Sequence, residues 1–271
     1  MALTLRGRRI LLTGASGTFG RALTDRFLAL GAHVVGLDLV PAATAPAPIL
    51  RCDLTDDAAV PPAVDAAADL LGGLDLLVNN AGIGGPAPAE LPPGAEVRRQ
   101  LEVNLLAAWR TTAAAIPYLE RSRGRIVFVA SRMAVLPLPL AAAYGVSKRA
   151  LTAYADALRL EVGSHIGVSV VYPSMVASPI HDPTTTAGLS LDGVSRYEPV
   201  SGVVAAIVHA ATATRAPRDV ATTTRGRVEL AMARHFPSLA AGLVTRTVRD
   251  RIAAGALNDA PLAEGMLRRA R

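Results

Sequence analysis

Tyr144 and Lys148 stand four residues apart in Tyr144-Gly145-Val146-Ser147-Lys148, within a stretch of helical character. At that spacing both side chains leave one helix face. A tyrosine hydroxyl ordinarily titrates near ~10 and is a poor acid or base at neutral pH. An ammonium close by favours the phenolate and lowers that value. Bringing the hydroxyl into the neutral range takes about 4 kcal/mol of differential stabilisation, and a fixed lysine at i+4 can supply much of it. The chemistry on offer is proton transfer to or from a substrate oxygen. A Tyr-x-x-x-Lys pair is common by chance, so the segments that would position it decide whether the chemistry is real.

The first such segment lies near the chain start. Arg9-Ile10-Leu11-Leu12-Thr13 is a short apolar run, as expected of a buried parallel strand. It leads into Gly14-Ala15-Ser16-Gly17-Thr18-Phe19-Gly20, and helical spacing follows over 21–30 up to Gly31. A strand, a glycine turn and a helix N-terminus together make a phosphate cradle, because the backbone can approach closely and the helix end presents unpaired N–H groups. The next strand, 33–37, runs into Asp38, placed where an acid meets the ribose hydroxyls of a dinucleotide.

With both halves in hand, the sequence resembles the short-chain dehydrogenase/reductases, in their short single-domain branch, over nearly the whole chain to about Thr224. Gly14, Gly17 and Gly20 match the family's glycine loop, and Asp53-Leu54 matches the acid that contacts adenine. Asn79-Asn80-Ala81-Gly82 matches the motif after the fourth strand, and Asn104 the helix asparagine of the catalytic tetrad. Ser131 precedes Tyr144 at the spacing of the catalytic serine. Pro173-Ser174-Met175-Val176-Ala177-Ser178 stands where the family has Pro-Gly-x-Val-x-Thr. The resemblance implies a catalytic set of Asn104, Ser131, Tyr144 and Lys148. It implies a cofactor set of Gly14, Ser16, Gly17, Thr18, Phe19, Gly20, Asp38, Asp53, Leu54, Asn80, Ala81, Gly82, Tyr144, Lys148, Pro173, Val176 and Ser178.

Two departures stand out. The spacing Thr-Gly-x-x-Gly-x-x-Gly belongs to the family's extended branch of epimerases and dehydratases, and it puts Thr18 at a usual glycine position. The motif at Asn79–Gly82, and a length too short for a substrate domain, favour the short branch. The second departure is Ser174 in place of glycine, with Ser178 in place of threonine. Ser178 retains a hydroxyl able to bind the nicotinamide carboxamide, whereas Ser174 is expected to restrict the backbone.

Composition narrows the classes. The chain has 271 residues, enough for one α/β domain with a substantial core. Hydrophobic residues make up 51% but aromatics only 4%, so Ala, Val and Leu must build that core. The apolar runs are too short and broken for a membrane span, and the start has no signal-peptide layout. The lone cysteine, Cys52, excludes an internal disulfide and suits a cytoplasmic protein; it reads as a buried small hydrophobe. The five histidines lack metal-ligand spacing, so no metal is expected. From Arg225 onward nine arginines face four acidic residues, which accounts for +5 of the net +6. A solvated helix face is the preferred reading of this tail, ahead of an acidic partner or an anionic membrane surface. Nucleic acid is not expected, because no aromatics interleave with the arginines.

Strands are expected at 49–51, 74–78, 125–129, 168–172 and 219–224, alternating with helices to about 71, around Asn104 and Trp109, from Tyr144 to about 162, and over 200–214. This alternation predicts a Rossmann-type, doubly wound parallel sheet of about seven strands within a single domain. The aperiodic segment 175–199 is expected to be a lid over the site. A broad helical stripe from Phe236 to Ile252 is assigned to core or subunit packing.

The resulting expectation is an NAD-dependent alcohol dehydrogenase or ketoreductase, with NAD preferred over NADP. Tyr144 donates the proton to the developing alkoxide, Ser131 hydrogen-bonds that oxygen, and Lys148 holds the nicotinamide ribose. By resemblance, Asn104 supports a water linked to Lys148. Leu136-Pro137-Leu138-Pro139-Leu140, with Met175 and Ile180, suggests an apolar pocket for a small carbonyl or alcohol substrate. A homotetramer or homodimer is implied by the family. Two alternatives stay open: an NAD-dependent epimerase or dehydratase, and a non-catalytic NAD(H)-sensing or scaffold protein.

Overall fold

In the computed structural model, residues 3–188, 197–255, 257 and 260–270 are described. The apolar runs form β1 (Arg9–Thr13), β2 (His33–Asp38), β3 (Ile49–Arg51), β4 (Leu76–Asn79), β5 (Arg125–Val129), β6 (Gly167–Tyr172) and β7 (Asp219–Ala221). All neighbours are parallel, in the order β3-β2-β1-β4-β5-β6-β7. The order reverses between β1 and β4, and a ligand crevice belongs outside the strand C-termini at that switch.

Covered faces explain why the strands read as continuous apolar runs rather than alternations. Leu11, Leu77, Ile126 and Phe128 face one layer, packed by α2 (Val60–Leu71), α4 (Ala107–Ser122) and α5 (Ala142–Val162) through Val64, Leu119 and Leu151. Their strand neighbours Ile10, Leu12, Val78 and Val127 face the other layer, where Phe27 of α1 (Thr18–Ala29) and Val203 and Ile207 of α7 (Val200–Thr212) meet them. Adjacent strand residues point to opposite faces, which sorts one sequence into two cores. Fully buried Ala67, Ala115 and Ala155 supply close helix packing in place of aromatic bulk.

Several boundaries differ from expectation for visible reasons. β4 begins at Leu76, and just before it the Asp75 carboxylate accepts from the Arg9 backbone N–H and guanidinium, both through Oδ2 at 2.9 and 2.8 Å. β7 ends at Ala221, not 224. Thr223 instead caps α8 (Thr224–His235), its hydroxyl accepting from Gly226 N at 2.9 Å. The helix expected around Asn104 is α3 (Ala95–Leu101) continued into α4 through a π-helical turn at Glu102–Leu106. Of the expected lid, residues 176–188 contain a short 3₁₀ turn and α6 (Asp182–Thr186), while residues 189–196 lie outside the described residues.

The tail departs most. After α8 its stripe lies along one helix, α9 (Pro237–Ala253), with Phe236 as the N-cap, and α10 (Glu264–Ala270) follows. Within it Ala240 is buried, but Phe236, Leu239 and Leu243 are exposed, so core packing does not account for the whole stripe. Its arginines are not simply solvated either. Arg234 pairs with Asp219 at 2.8 Å, Arg225 with Glu229 at 2.8 Å, and Arg269 with Glu90.

Candidate active site

Seventeen of the expected site residues converge on one cleft of about 900 Å³ at the strand C-termini. From the glycine loop come Gly14, Ser16, Gly17, Thr18 and Phe19; from the β2 and β3 ends come Asp38, Asp53 and Leu54. Asn80, Ala81 and Gly82 follow β4. Ser131, Tyr144 and Lys148 form the middle of the cleft, and Pro173, Val176 and Ser178 the wall after β6. Gly20 and Asn104 lie behind the lining and act through it.

The glycine loop is shaped by close approach. Gly14 has φ +65°, a conformation other residues adopt only at a cost, and a Cβ there would sit 2.8 Å from Ala81 Cα. Gly20 carries no positive φ, but a Cβ on it would fall 2.1 Å from the Gly14 carbonyl oxygen, so α1 can sit against the turn only with glycine there. Gly17 is the N-cap of α1, and neither a capping side chain nor an acid occupies the first turn. The free N–H groups and dipole of that helix end fit a pyrophosphate. Thr18, the departure in the motif, is the first residue of α1 and lines the cleft.

Asp38 has a second role that the sequence did not reveal. Its Oδ2 accepts from Ser16 N at 2.9 Å and its Oδ1 from Val40 N at 3.1 Å, so the carboxylate ties the loop to the end of β2. Arg51 pairs in register with Asp38 but does not reach the cleft, whereas Arg21 does, its Nε donating to the Ser16 carbonyl at 2.8 Å. The Asp53 carboxylate accepts from the Thr55 hydroxyl at 2.7 Å and N–H at 2.9 Å, which holds its pKa below the ordinary value.

Asn79 leaves the cleft wall. Its side-chain amide donates to Thr112 on α4 at 2.9 Å, whereas Asn80 turns inward and donates to the Thr13 and Gly14 carbonyls at 3.0 and 3.1 Å. Thr13, unremarked in the sequence, accepts through its hydroxyl from both Asn80 N and Ala81 N, at 3.0 and 3.1 Å. It thereby couples the two loops that flank the switch point.

Asn104 sits in the π-helical turn and is 1% exposed. Its Oδ1 accepts from Ile83 N at 2.8 Å, and its amide donates to the Ile83 carbonyl and the Ser147 hydroxyl, both at 2.9 Å. It fixes the loop beyond Gly82 to the helix carrying Tyr144. A Cβ on Gly82 would lie 3.2 Å from both Asn104 Oδ1 and Lys148 Nζ, so that glycine makes room for the pair.

Ser131 caps a 3₁₀ turn, accepting from Met133 N at 3.1 Å, and its side chain favours the ionised form of the neighbouring Tyr144 hydroxyl. Lys148 Nζ donates to the Val129 carbonyl at 3.0 Å and lies 5.8 Å from the Tyr144 ring centre. The electrostatics differ from expectation. Burial raises the Tyr144 pKa, and the bond to Ser131 partly offsets this. Burial also lowers Lys148 to about 8, because a dry site penalises its ammonium. The tyrosine is tuned first by its dryness and by Ser131.

One wall of the cleft is apolar through Leu138, Met175 and Ile180, joined by Met133, Ile83 and Val103. Arg99 and His181 add polarity, and burial lowers the His181 pKa, which favours its neutral ring. Of the Leu136–Leu140 run only Leu138 lines the cleft. Leu140, with φ +62°, instead packs against a C-terminal cluster of Leu257, Ala260 and Ala263. Ser174 has no positive φ, so serine in place of glycine causes no strain there. No group of metal-ligating side chains occurs among the described residues, and no described helix is long and apolar enough to cross a membrane.

Comparison with known proteins agrees with this geometry. The short chain dehydrogenase family profile matches residues 8–187. The chain is 34% identical over 217 residues to the 1-deoxy-11-beta-hydroxypentalenate dehydrogenase of Streptomyces exfoliatus, a match covering 74% of this chain and 79% of that protein. It is 34% identical over 168 residues to the 3-ketodihydrosphingosine reductase of Bacteroides thetaiotaomicron, covering 60% of this chain and 62% of that relative, less than two thirds of its length. Among solved structures, the 3-ketoacyl-(acyl-carrier-protein) reductase from Brucella melitensis complexed with NADH superposes with a TM-score of 0.71 at 28% identity, covering 80% of this chain and 98% of that one. With a doubly wound sheet, a glycine-lined switch point and the Ser131-Tyr144-Lys148 cluster in place, the chain belongs to the short-chain dehydrogenase/reductase family of oxidoreductases.

Proposed function

We propose that the protein interconverts an apolar secondary alcohol and its ketone, using NAD(H) in preference to NADP(H). One observation carries the reading: Tyr144 shares an apolar cleft with Ser131, Lys148 and an open α1 N-terminus. The glycine loop and the α1 N-terminus would hold the pyrophosphate of a nicotinamide dinucleotide, which when bound would supply or receive the hydride. Ser131 holds the substrate oxygen and stabilises charge developing on it. Tyr144 gives that oxygen its proton in reduction and takes it back in oxidation. Lys148 holds the nicotinamide ribose and, while protonated, favours the tyrosinate. Asn104 positions Gly82–Ile83 and Ser147, which frame the lysine. Segment 176–188 serves as the described part of a lid, in what we read as a single catalytic domain.

The test is a panel of apolar ketones and alcohols followed by NADH absorbance. Turnover of at least one is expected. Failure of all of them with either cofactor, by a protein that binds NADH, would favour the sensing alternative. The buried free thiol Cys52 suits the reducing cytoplasm, where we place the enzyme.

NAD preference rests on Asp38. A 2′-phosphate beside this carboxylate meets a like charge, a repulsion of several kcal/mol in a partly desolvated site. The Asp38→Ala variant should raise the NADP/NAD ratio of kcat/KM about tenfold or more, which corresponds to about 1.4 kcal/mol. Arg21, already on the cleft, becomes the phosphate's partner in that variant. An unchanged ratio would remove Asp38 as the determinant.

The same reading extends to assembly. Leu106, Trp109 and Val146 are exposed on the elements bearing Asn104 and Tyr144, and Trp109 is held ready by stacking on Tyr154 at 4.2 Å. We expect a dimer or tetramer joined there. Light scattering at micromolar concentration should give a multiple of 28.0 kDa, and a particle of that single mass would contradict it.

A further inference from the structure

Glu198 is a carboxylate only 7% exposed, and no ion pair engages it among the described residues. An ionised carboxylate buried without a cation is costly unless hydrogen bonds compensate. Here they do. Ser174 N donates to Oε1 at 2.5 Å, and the Thr222 hydroxyl lies 2.8 and 2.7 Å from the two carboxylate oxygens. The Glu198 backbone N–H donates to the Met175 carbonyl at 2.8 Å, beside a parallel bridge between Met175 and Tyr197. Three separate segments are thus joined at one side chain: the turn after β6, the Tyr197–Glu198 stretch that leads into α7, and the end of β7.

What this side chain holds is a cleft wall. Ser174 and Met175 line the cleft between Pro173 and Val176. Glycine at position 174 would let that backbone take several paths; serine with a buried carboxylate on its N–H admits one. We propose that Glu198 is a positioning residue for cofactor binding, which holds the Pro173–Ser178 wall in the conformation that receives the nicotinamide end. The proposal rests on the reading of the cleft as a nicotinamide site. It differs from a purely structural role in one respect: loss of Glu198 acts on cofactor affinity and on local backbone opening before it acts on global stability.

The test uses the full chain with NADH, by fluorescence titration and by hydrogen exchange of the peptide covering 173–178. Glu198→Ala should weaken NADH binding by about tenfold, the effect of losing a charge-assisted hydrogen bond. It should also speed exchange in that peptide while thermal unfolding stays cooperative. Glu198→Gln keeps an acceptor oxygen for Ser174 N and should stay within about threefold of the wild type. Glu198→Asp keeps the charge but is one methylene short, so it should behave like alanine, and it decides the question if Glu198→Ala does not fold. NADH binding and exchange unchanged in both Glu198→Ala and Glu198→Asp would overturn the proposal. So would a glutamine variant as impaired as the alanine one. A wild type that binds neither NADH nor NADPH would instead overturn the cofactor reading itself, and this inference with it.

Discussion

Tyr144→Phe should lower turnover by about three orders of magnitude, the middle of the range for loss of a positioned general acid, while NADH binding stays close to that of the wild type. The ring remains and fills the same space. Only the hydroxyl that reaches Ser131 is lost. The proton for the substrate oxygen then has to come from water, a donor that is not held in position. The same chemistry sets a pH dependence. Burial brings Lys148 to about 8, so the ammonium is lost as pH rises through that value, and its support for the tyrosinate goes with it. In the direction of ketone reduction, kcat/KM should fall on that alkaline limb. Steady-state kinetics across pH, with fluorescence titration of NADH, check both parts; a phenylalanine variant with wild-type turnover would remove Tyr144 from the proton path.

The second large effect is steric. Gly20→Ala places a Cβ 2.1 Å from the Gly14 carbonyl oxygen and 2.6 Å from Ala15 Cα, both backbone atoms that no side-chain rotation can move. The helix must be pushed off the turn, an overpacking cost of roughly 3 kcal/mol. For a chain of this size that lowers Tm by roughly 6–12 °C. Because the displaced helix end is the proposed pyrophosphate cradle, NADH affinity should fall more than tenfold as well, a change of about 1.4 kcal/mol or more. Thermal unfolding and cofactor titration of this variant measure the two losses. Wild-type values for both would show that α1 does not need its close seat on β1.

Much of this was legible in the sequence because it depends on local pattern. The strands are apolar runs because both sheet faces are covered, and their parallel pairing follows from their alternation with helices. The Tyr144–Lys148 spacing survives in the structure because both lie on one unbroken helix, α5. What escaped depends on distant partners. Glu198 meets Ser174 and Thr222, each 24 residues away, and nothing near it marks a buried acid. The tail arginines reach Asp219 and Glu90, so a run that reads as solvated charge also fastens the tail to the body. Thr222-Thr223-Thr224 has the β-branched character of a strand, yet Thr223 serves as a helix cap, a use of the same hydroxyl that propensity does not distinguish. The π-helical turn at Asn104 keeps a helical pattern in sequence while shifting the asparagine toward Ile83. The pKa of Tyr144 follows from its desolvation, a property of the assembled cleft rather than of the motif.

The central claim is hydride transfer between a nicotinamide and a substrate carbon, with Tyr144 handling the proton. The most direct measurement uses NADH deuterated at C4 with a ketone the enzyme reduces, followed by mass analysis of the alcohol. The expected result is one deuterium on the carbinol carbon of each product molecule, transferred from one face of the nicotinamide only, with product from Tyr144→Phe forming about a thousandfold more slowly. Product that forms without deuterium, or conversion of substrate with the bound cofactor returned unchanged as in an epimerase or dehydratase, would contradict it.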